Sequence, residues 1–342
     1  MSIQSQDTLE VEARSQAGPR TKSDALYRNR LGLVVLAIAL VLPLVVQSFL
    51  TFQLTLVLVY AIAIIGLNLL TGFNGQFSLG HSAFYAIGAY TAAILMDKLD
   101  MPYAMTLPIA GVICFVFGFL FGLPALRLEG VYLALATFAL AVATPQILKL
   151  SPLEQWTGGV QGIVINKPDA PFGLPLNQDQ WLYYFTLLVA IVMTTLAHNL
   201  VASRTGRAMV AIRDNPIAAR SMGVNTALYK TLTFGVSALY TGIAGALGAI
   251  VVQFVAPDSF TFFLSIALLV GLVVGGVGWI PGAFFGGAFV LFVPNFAESI
   301  SKGLSGAVYG VMIILLIYVM PSGAAGLYSA AKRFLAGRSH RI

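Results

Sequence analysis

The chain has 342 residues, of which 58% are apolar and 9% charged, against about half and about a quarter in an ordinary soluble domain. Its 19 basic and 13 acidic side chains are too few to cover a soluble protein of this length, so lipid must stand where charge is missing. The single Cys114 excludes an internal disulfide framework and a CxxC metal site, and the net charge of +6 must be tested against membrane topology before nucleic acid is considered.

Residues 1–30 are polar and lack a hydrophobic period, and read as a disordered cytoplasmic tail ahead of an uncleaved first helix. From Leu31 to Met96 there are 66 residues without Asp, Glu, Lys or Arg, too many for one crossing. Breaks around Gln47 to Thr51 and at Thr71-Gly72-Phe73-Asn74-Gly75-Gln76 divide the run into helices near 31–47, 52–71 and 77–96. Uncharged runs at 101–126, 130–148, 180–203 and 231–257 each fit one further helix. The run 259–297 has 39 residues, roughly 58 Å as a helix and about twice the hydrocarbon thickness. Gly278-Trp279-Ile280-Pro281-Gly282 therefore splits it in two, and a last span lies near 306–320. The expected fold is an all-α polytopic bundle of about ten transmembrane helices, a single transmembrane domain over 31–320, followed by a basic tail at 321–342. Short alternating segments, the mark of an outer-membrane barrel, are absent from this pattern.

With the N-terminus inside, ten crossings place both termini in the cytoplasm and put 15 of the 19 basic residues there, leaving Lys98, Lys149, Lys167 and Lys302 outside. The acids divide almost evenly, so the asymmetry belongs to Lys and Arg, as orientation requires. It also accounts for the positive charge without nucleic acid. This topology leaves one long outside loop, 151–180, and one long inside loop, 201–230.

There is no Gly-Lys dipeptide in the chain and hence no Walker-type ATPase site. His81, His198 and His340 lie on separate segments with no partner carboxylate at motif spacing, so neither an enzyme nor a cofactor or metal site is indicated. Central membrane depths hold no ionisable relay, which weighs against proton-coupled transport but leaves sodium coupling through carbonyls open. In the inside loop, Arg204, Arg207, Arg213, Arg220 and Lys230 surround an apolar stretch. Asn215 suits a helix cap, Pro216 the first helical position and Gly223 the residue after the last turn, so the pattern predicts a two-turn helix over 216–222. A helix this short needs an external support, either the membrane surface or a partner protein.

The stretch Asn215-Pro216-Ile217-Ala218-Ala219-Arg220-Ser221-Met222-Gly223 with the preceding Gly206 to Asp214 resembles the cytoplasmic loop of branched-chain amino-acid ABC importer permeases of the LivM/LivH type. Leu67 to His81, Leu126 to Tyr132 and Thr157-Gly158-Gly159-Val160-Gln161-Gly162 resemble further motifs of that family, and the similarity covers roughly 30–320. The spacing Ala218-Ala219-x-x-x-Gly223 matches the general importer loop, although Ile217 stands where an acid is usual. The resemblance implies an inner (plasma) membrane subunit that works with a second permease, two cytoplasmic ATP-binding subunits and an extracytoplasmic solute-binding protein. It places Arg213, Asn215, Pro216, Ala218, Ala219, Arg220 and Gly223 at the ATPase contact. Relatives of this family carry branched-chain amino acids, urea, amides or small aromatic acids.

Asn68, Asn74, Gln76, Ser78 and His81 cluster within fourteen residues of apolar sequence. They admit two readings, interhelical packing or a solute path beside a broken helix; Asn74, Gln76, Ser78 and His81 are the path candidates. Gly271-x-x-x-Gly275, Gly282-x-x-x-Gly286, Gly118-x-x-x-Gly122 and Gly306-x-x-x-Gly310 have the spacing of close helix approach. Outside, Trp156, Thr157, Gly158 and Gly159 are candidates for contact with a binding protein, with a headgroup anchor as the other role for Trp156. An ion-coupled carrier or a channel-like pore is the competing function.

Overall fold

The computed structural model describes residues 36–128, 130–171, 175–300, 305–320 and 323–327. The tails expected at 1–30 and 321–342 lie outside the described residues, apart from 323–327. The chain divides after Ser48 into two units. The first contributes one described helix, α1 (Leu36–Val45), with Pro43 in its last turn.

α2 (Ser48–Leu67), all but its first residue in the second unit, continues without interruption into a π-helix over Asn68–Phe73. From Val59 to Ile65 every side chain but Tyr60 is removed from solvent, so this helix is wrapped by protein on all sides. Its composition allows that, because it is apolar all round and offers no polar face to expose. The chain then runs extended to α3 (His81–Leu99), α4 (Tyr103–Ala125) and α5 (Val131–Leu148). The predicted start of α3 near 77 is corrected to His81. Phe77 to Gly80 stays outside the helix because the Leu79 N–H is taken by the Thr137 hydroxyl of α5 at 2.9 Å, and a side chain at Gly80 would collide with the Thr137 carbonyl.

After the loop at 151–177 come α6 (Gln178–Ala202), α7 (Arg204–Asp214), α8 (Pro216–Ser221) and α9 (Thr226–Val252). The uncharged run suggested a start at 231 for α9. The helix begins five residues earlier because Asn225 caps it, accepting the Leu228 N–H at 3.1 Å, and Lys230 is carried inside the first turns. Beyond α9 lie a short strand, α10 (Phe262–Gly275), α11 (Gly282–Ile300) and α12 (Ser305–Val319). Among the described residues six helices are long and apolar enough to cross a membrane: Ser48–Phe73, Tyr103–Ala125, Val131–Leu148, Gln178–Ala202, Thr226–Val252 and Pro257–Gly275. α3 and α11, at 19 residues each, carry charge toward their C-terminal ends at Asp97, Lys98 and Glu298.

α9 is the second wrapped helix and packs against both α3 and α4. In contrast α4, α5 and α6 keep Val112, Val116, Leu120, Leu135, Leu188 and Leu196 exposed, the surface that a bilayer or a partner subunit would cover. Two of the small-residue motifs meet each other. A Cβ added at Gly275 would sit 2.2 Å from the Gly282 carbonyl oxygen, and one at Gly282 would sit 2.1 Å from that of Gly275. The backbones of α10 and α11 touch there as directly as Gly allows, where dispersion between bare backbones replaces side-chain packing. At Gly306 and Gly310 an added Cβ would meet nothing within 4 Å among the described residues, so that motif makes no close approach to them.

Candidate functional site

Residues 66–82 tie the second unit together. The π-helix widens the end of α2 and turns the Asn68 side chain toward the α10–α11 turn, where its Nδ2 donates to the Trp279 carbonyl at 3.1 Å and its Oδ1 accepts the Gly278 N–H at 2.8 Å. Gly72 makes room for this clasp, because a Cβ there would overlap Asn68 Oδ1 and come within 2.7 Å of the Gly278 nitrogen. The helix end leaves carbonyls without helical partners. Leu70 C=O accepts the Gln76 N–H at 3.1 Å, and Gly72 C=O accepts Arg213 Nη1 at 2.9 Å. Gly75, at φ +72°, turns the chain against the Arg213 stem. Gln76 then donates to the Lys230 carbonyl of α9 at 3.0 Å, while the Thr71 hydroxyl donates to the Gln76 carbonyl.

His81, 1% exposed, completes a second knot. The Ser237 hydroxyl donates to the Gly66 carbonyl at 2.6 Å, since a carbonyl can only accept, and so must accept from His81 Nε2–H at 2.8 Å. That leaves Nδ1 as acceptor for the Ser78 hydroxyl at 3.3 Å, whose oxygen in turn accepts the Gly80 N–H. The neutral imidazole uses both nitrogens. Nearby, the Ser265 hydroxyl of α10 accepts the Ser82 N–H at 2.8 Å, at the start of α3. Asn74 differs from all of these: both polar atoms of its amide are buried without a hydrogen-bond partner among the described residues.

The four path candidates thus lie together and are all buried. Gln76, Ser78 and His81 are hydrogen-bonded to protein, whereas the Asn74 amide, among the described residues, is not. No local pattern singles out Ser237 or Trp279 as partners, because their roles come from helices far away in the chain.

On the same end of the unit, α7 is amphipathic: Gly206, Met209 and Ile212 are buried at a spacing of three, with Arg204 and Arg207 exposed. Ser203 caps it by accepting the Gly206 N–H. One extended residue, Asn215, joins it to α8 and caps that helix by accepting the Ile217 and Ala218 N–H groups at 3.1 and 3.0 Å. Gly223, at φ +83°, closes α8, with Val224 N–H reaching back to the Ala219 carbonyl. The local reading of Asn215, Pro216 and Gly223 therefore matches the geometry. Ala218 is exposed, whereas Ala219 is buried against its own chain and Arg220 donates to the Thr226 hydroxyl. The side chains that project from α8 are Ile217, 79% exposed, and Met222, 84% exposed. Ile217 is marked in the sequence only as standing where an acid is usual, and Met222 is not singled out there, although two exposed apolar residues at the ends of a short helix are the pattern to look for.

At the other end, Ile163–Val164 pairs antiparallel with Phe254–Val255, and Lys149 bonds Asp258 at 2.6 Å. Thr157 is buried, its hydroxyl shared between the Leu148 and Leu153 carbonyls, and Gly159 is buried behind it. Of the four expected binding-protein contacts only Trp156 is freely exposed, with Gly158 partly so. Trp156 and Gly158 border an open concavity of about 240 Å³ with Asp97, Lys98 and Glu154. Among the described residues no three His, Cys, Asp or Glu side chains gather as a metal site would need.

Comparison with known proteins agrees with this architecture. The family described as branched-chain amino acid transport system, permease component, matches residues 49–317. The chain is 35% identical to the high-affinity branched-chain amino acid transport system permease protein LivM of Escherichia coli K12, over 78% of this chain and 68% of that protein. It is 24% identical to the LivH permease protein of Salmonella typhimurium, over 78% of this chain and 91% of that one. It is also 28% identical to the autoinducer 2 import system permease protein LsrC of Salmonella paratyphi B, over 58% and 57%. No solved structure matches. The chain belongs to the family of permease components of branched-chain amino acid transport systems, and is a multi-pass inner-membrane subunit of an ABC importer rather than an enzyme.

Proposed function

We propose that this chain is one half of a two-permease translocation unit for branched-chain amino acids, powered by two separate ATP-binding subunits and loaded by an extracytoplasmic binding protein. In this reading it crosses the membrane ten times with both termini in the cytoplasm, which needs α1, α3, α11 and α12 to span alongside the six longer helices. The observation that carries it is α8, a helix capped at both ends that presents Ile217 and Met222 away from its own chain on a basic loop. Such a helix offers a rigid apolar knob to a protein groove, and its two turns would not persist without support.

Within the site the roles divide. Asn74 and Gln76, at the break that follows α2, are proposed to line the solute path, while His81, steadied by Ser78, ties α3 to α9 through Ser237. Trp156 and the concavity beside it serve as the docking edge for the binding protein. The test is purification of the chain with its co-expressed partners, followed by mass spectrometry of what the binding protein retains. Recovery of leucine, isoleucine or valine together with stoichiometric ATPase subunits supports the reading. A chain that transports leucine in vesicles with no ATP-binding subunit present would overturn it in favour of a carrier or pore.

A further inference from the structure

We infer that Arg213 and Asn68 form a mechanical link between the cytoplasmic helix α8 and two interrupted membrane segments, and that this link passes movement of α8 into the path. The inference rests on the reading of α8 as the ATPase-docking helix. Asn215 is the only residue between α7 and α8, so a displacement of α8 reaches the last turn of α7 directly. There, Nε and Nη2 of Arg213 are both held by Asp214 Oδ1, at 3.0 and 2.9 Å, which fixes the plane of the guanidinium. Nη1 is left pointing at the Gly72 carbonyl, and the stem lies on the backbone of Gly75. Arg213 therefore grips the 72–75 break by its head and its stem together.

From Gly72 the link continues without a gap. Asn68 lies one turn earlier in the π-helix and holds the Gly278 and Trp279 backbone by two hydrogen bonds, so the α2 break and the α10–α11 turn move as one body. Gly276 and Gly278 adopt positive φ there, as does Gly75 beside the Arg213 stem, and all three are joints that can change conformation at little steric cost. A π-helix is itself a segment that recurs where a helix must change register.

A second, independent observation indicates which way the system is poised. The Asn74 amide sits inside the gripped segment and is buried with neither of its polar atoms bonded. A buried polar group without a partner raises the free energy of the conformation that contains it. The arrangement seen here is thus one that the Asn74 amide is relieved of when the break rearranges, and Arg213 holds it in place until α8 moves.

Arg213 is on this account a positioning residue, and its loss should uncouple ATP hydrolysis from transport rather than abolish assembly. In the purified complex with its ATPase subunits, in a Cys114→Ser background, Asn74→Cys should react with N-ethylmaleimide faster after trapping with ATP and vanadate than at rest. Arg213→Gln should remove that difference and raise the ATP hydrolysed per leucine imported about tenfold, the effect of losing one charge-assisted hydrogen bond from one state. Arg213→Lys, which keeps a donor for the Gly72 carbonyl, should restore most of the coupling. If Arg213→Gln retains both the labelling difference and the normal ATP-to-leucine ratio, the link is overturned although the docking reading stands. If the wild-type chain captures no ATPase subunit, the docking reading fails first and this inference with it.

Discussion

His81 Nε2 meets the Ser237 hydroxyl at 2.8 Å between α3 and α9, and the same hydroxyl hands its own proton to the Gly66 carbonyl of α2. The consecutive helices α2 and α3 are thereby joined to the distant α9 through one imidazole and one hydroxyl. His81→Leu leaves the buried Ser78 hydroxyl without an acceptor, a cost of about 1–3 kcal/mol. Thermal unfolding in detergent should shift down accordingly, and leucine transport should fall in proportion to the folded fraction. Transport lost at unchanged melting temperature would move His81 from the lock to the path.

Asn74 makes the opposite prediction. Asn74→Leu replaces an unbonded buried amide by an apolar group of similar shape, which should stabilise the conformation described here by about 1–3 kcal/mol. Melting temperature should rise while transport slows, because the rearranged break loses its polar group. Gln76→Leu, which gives up a bond to the Lys230 carbonyl, should lower both. A fall in melting temperature for Asn74→Leu would show that the amide has a bonding role at rest.

The glycines of α10 and α11 divide sharply from those of α12 by what they face. Gly275→Leu or Gly282→Leu would push a side chain into a carbonyl oxygen, and overpacking of this kind costs about 1–3 kcal/mol or more. Gly306→Ala meets nothing within 4 Å and should change the stability of the isolated chain by less than about 0.5 kcal/mol. Equal melting shifts for the two kinds of position would contradict the packing described.

At α8, Ile217→Asp and Met222→Asp should abolish co-purification of the ATPase subunits with no change in melting temperature, since both side chains stand clear of their own chain. Ala219→Arg should instead destabilise the chain itself, because that side chain is buried. Gly223→Pro forces φ to about −65° where the chain takes +83°, and should unwind the C-terminal closure of α8. ATPase subunits that bind the Asp variants normally would place the docking surface elsewhere.

Topology is checked with two single cysteines chosen from exposed positions. Val160→Cys should be labelled by an impermeant maleimide in intact cells, and Ser221→Cys only after permeabilisation. The reverse pattern would invert the orientation drawn from the Lys and Arg distribution.

Composition and charge in the sequence determined that this is a helical membrane protein, because a bilayer tolerates only backbones that satisfy themselves. Cap chemistry determined α8 in the same way: Asn215, Pro216 and Gly223 act on their immediate neighbours, so the stretch between them contains the whole argument. The pairing of Gly271 and Gly275 with Gly282 and Gly286 was half legible, in spacing but not in partner. What only the tertiary structure decided is which side chains face each other across the bundle. α2 is apolar on every side, so its periodicity says nothing about its rotation, and the clasp of Asn68 on Gly278 joins residues 210 positions apart. The sequence offered Arg213 only as a residue of the ATPase contact, yet one arm of its guanidinium bonds a carbonyl that the end of the π-helix leaves unbonded. A sequence pattern reports the environment that a residue prefers on average; the partner it takes depends on where the other helices place their unpaired groups.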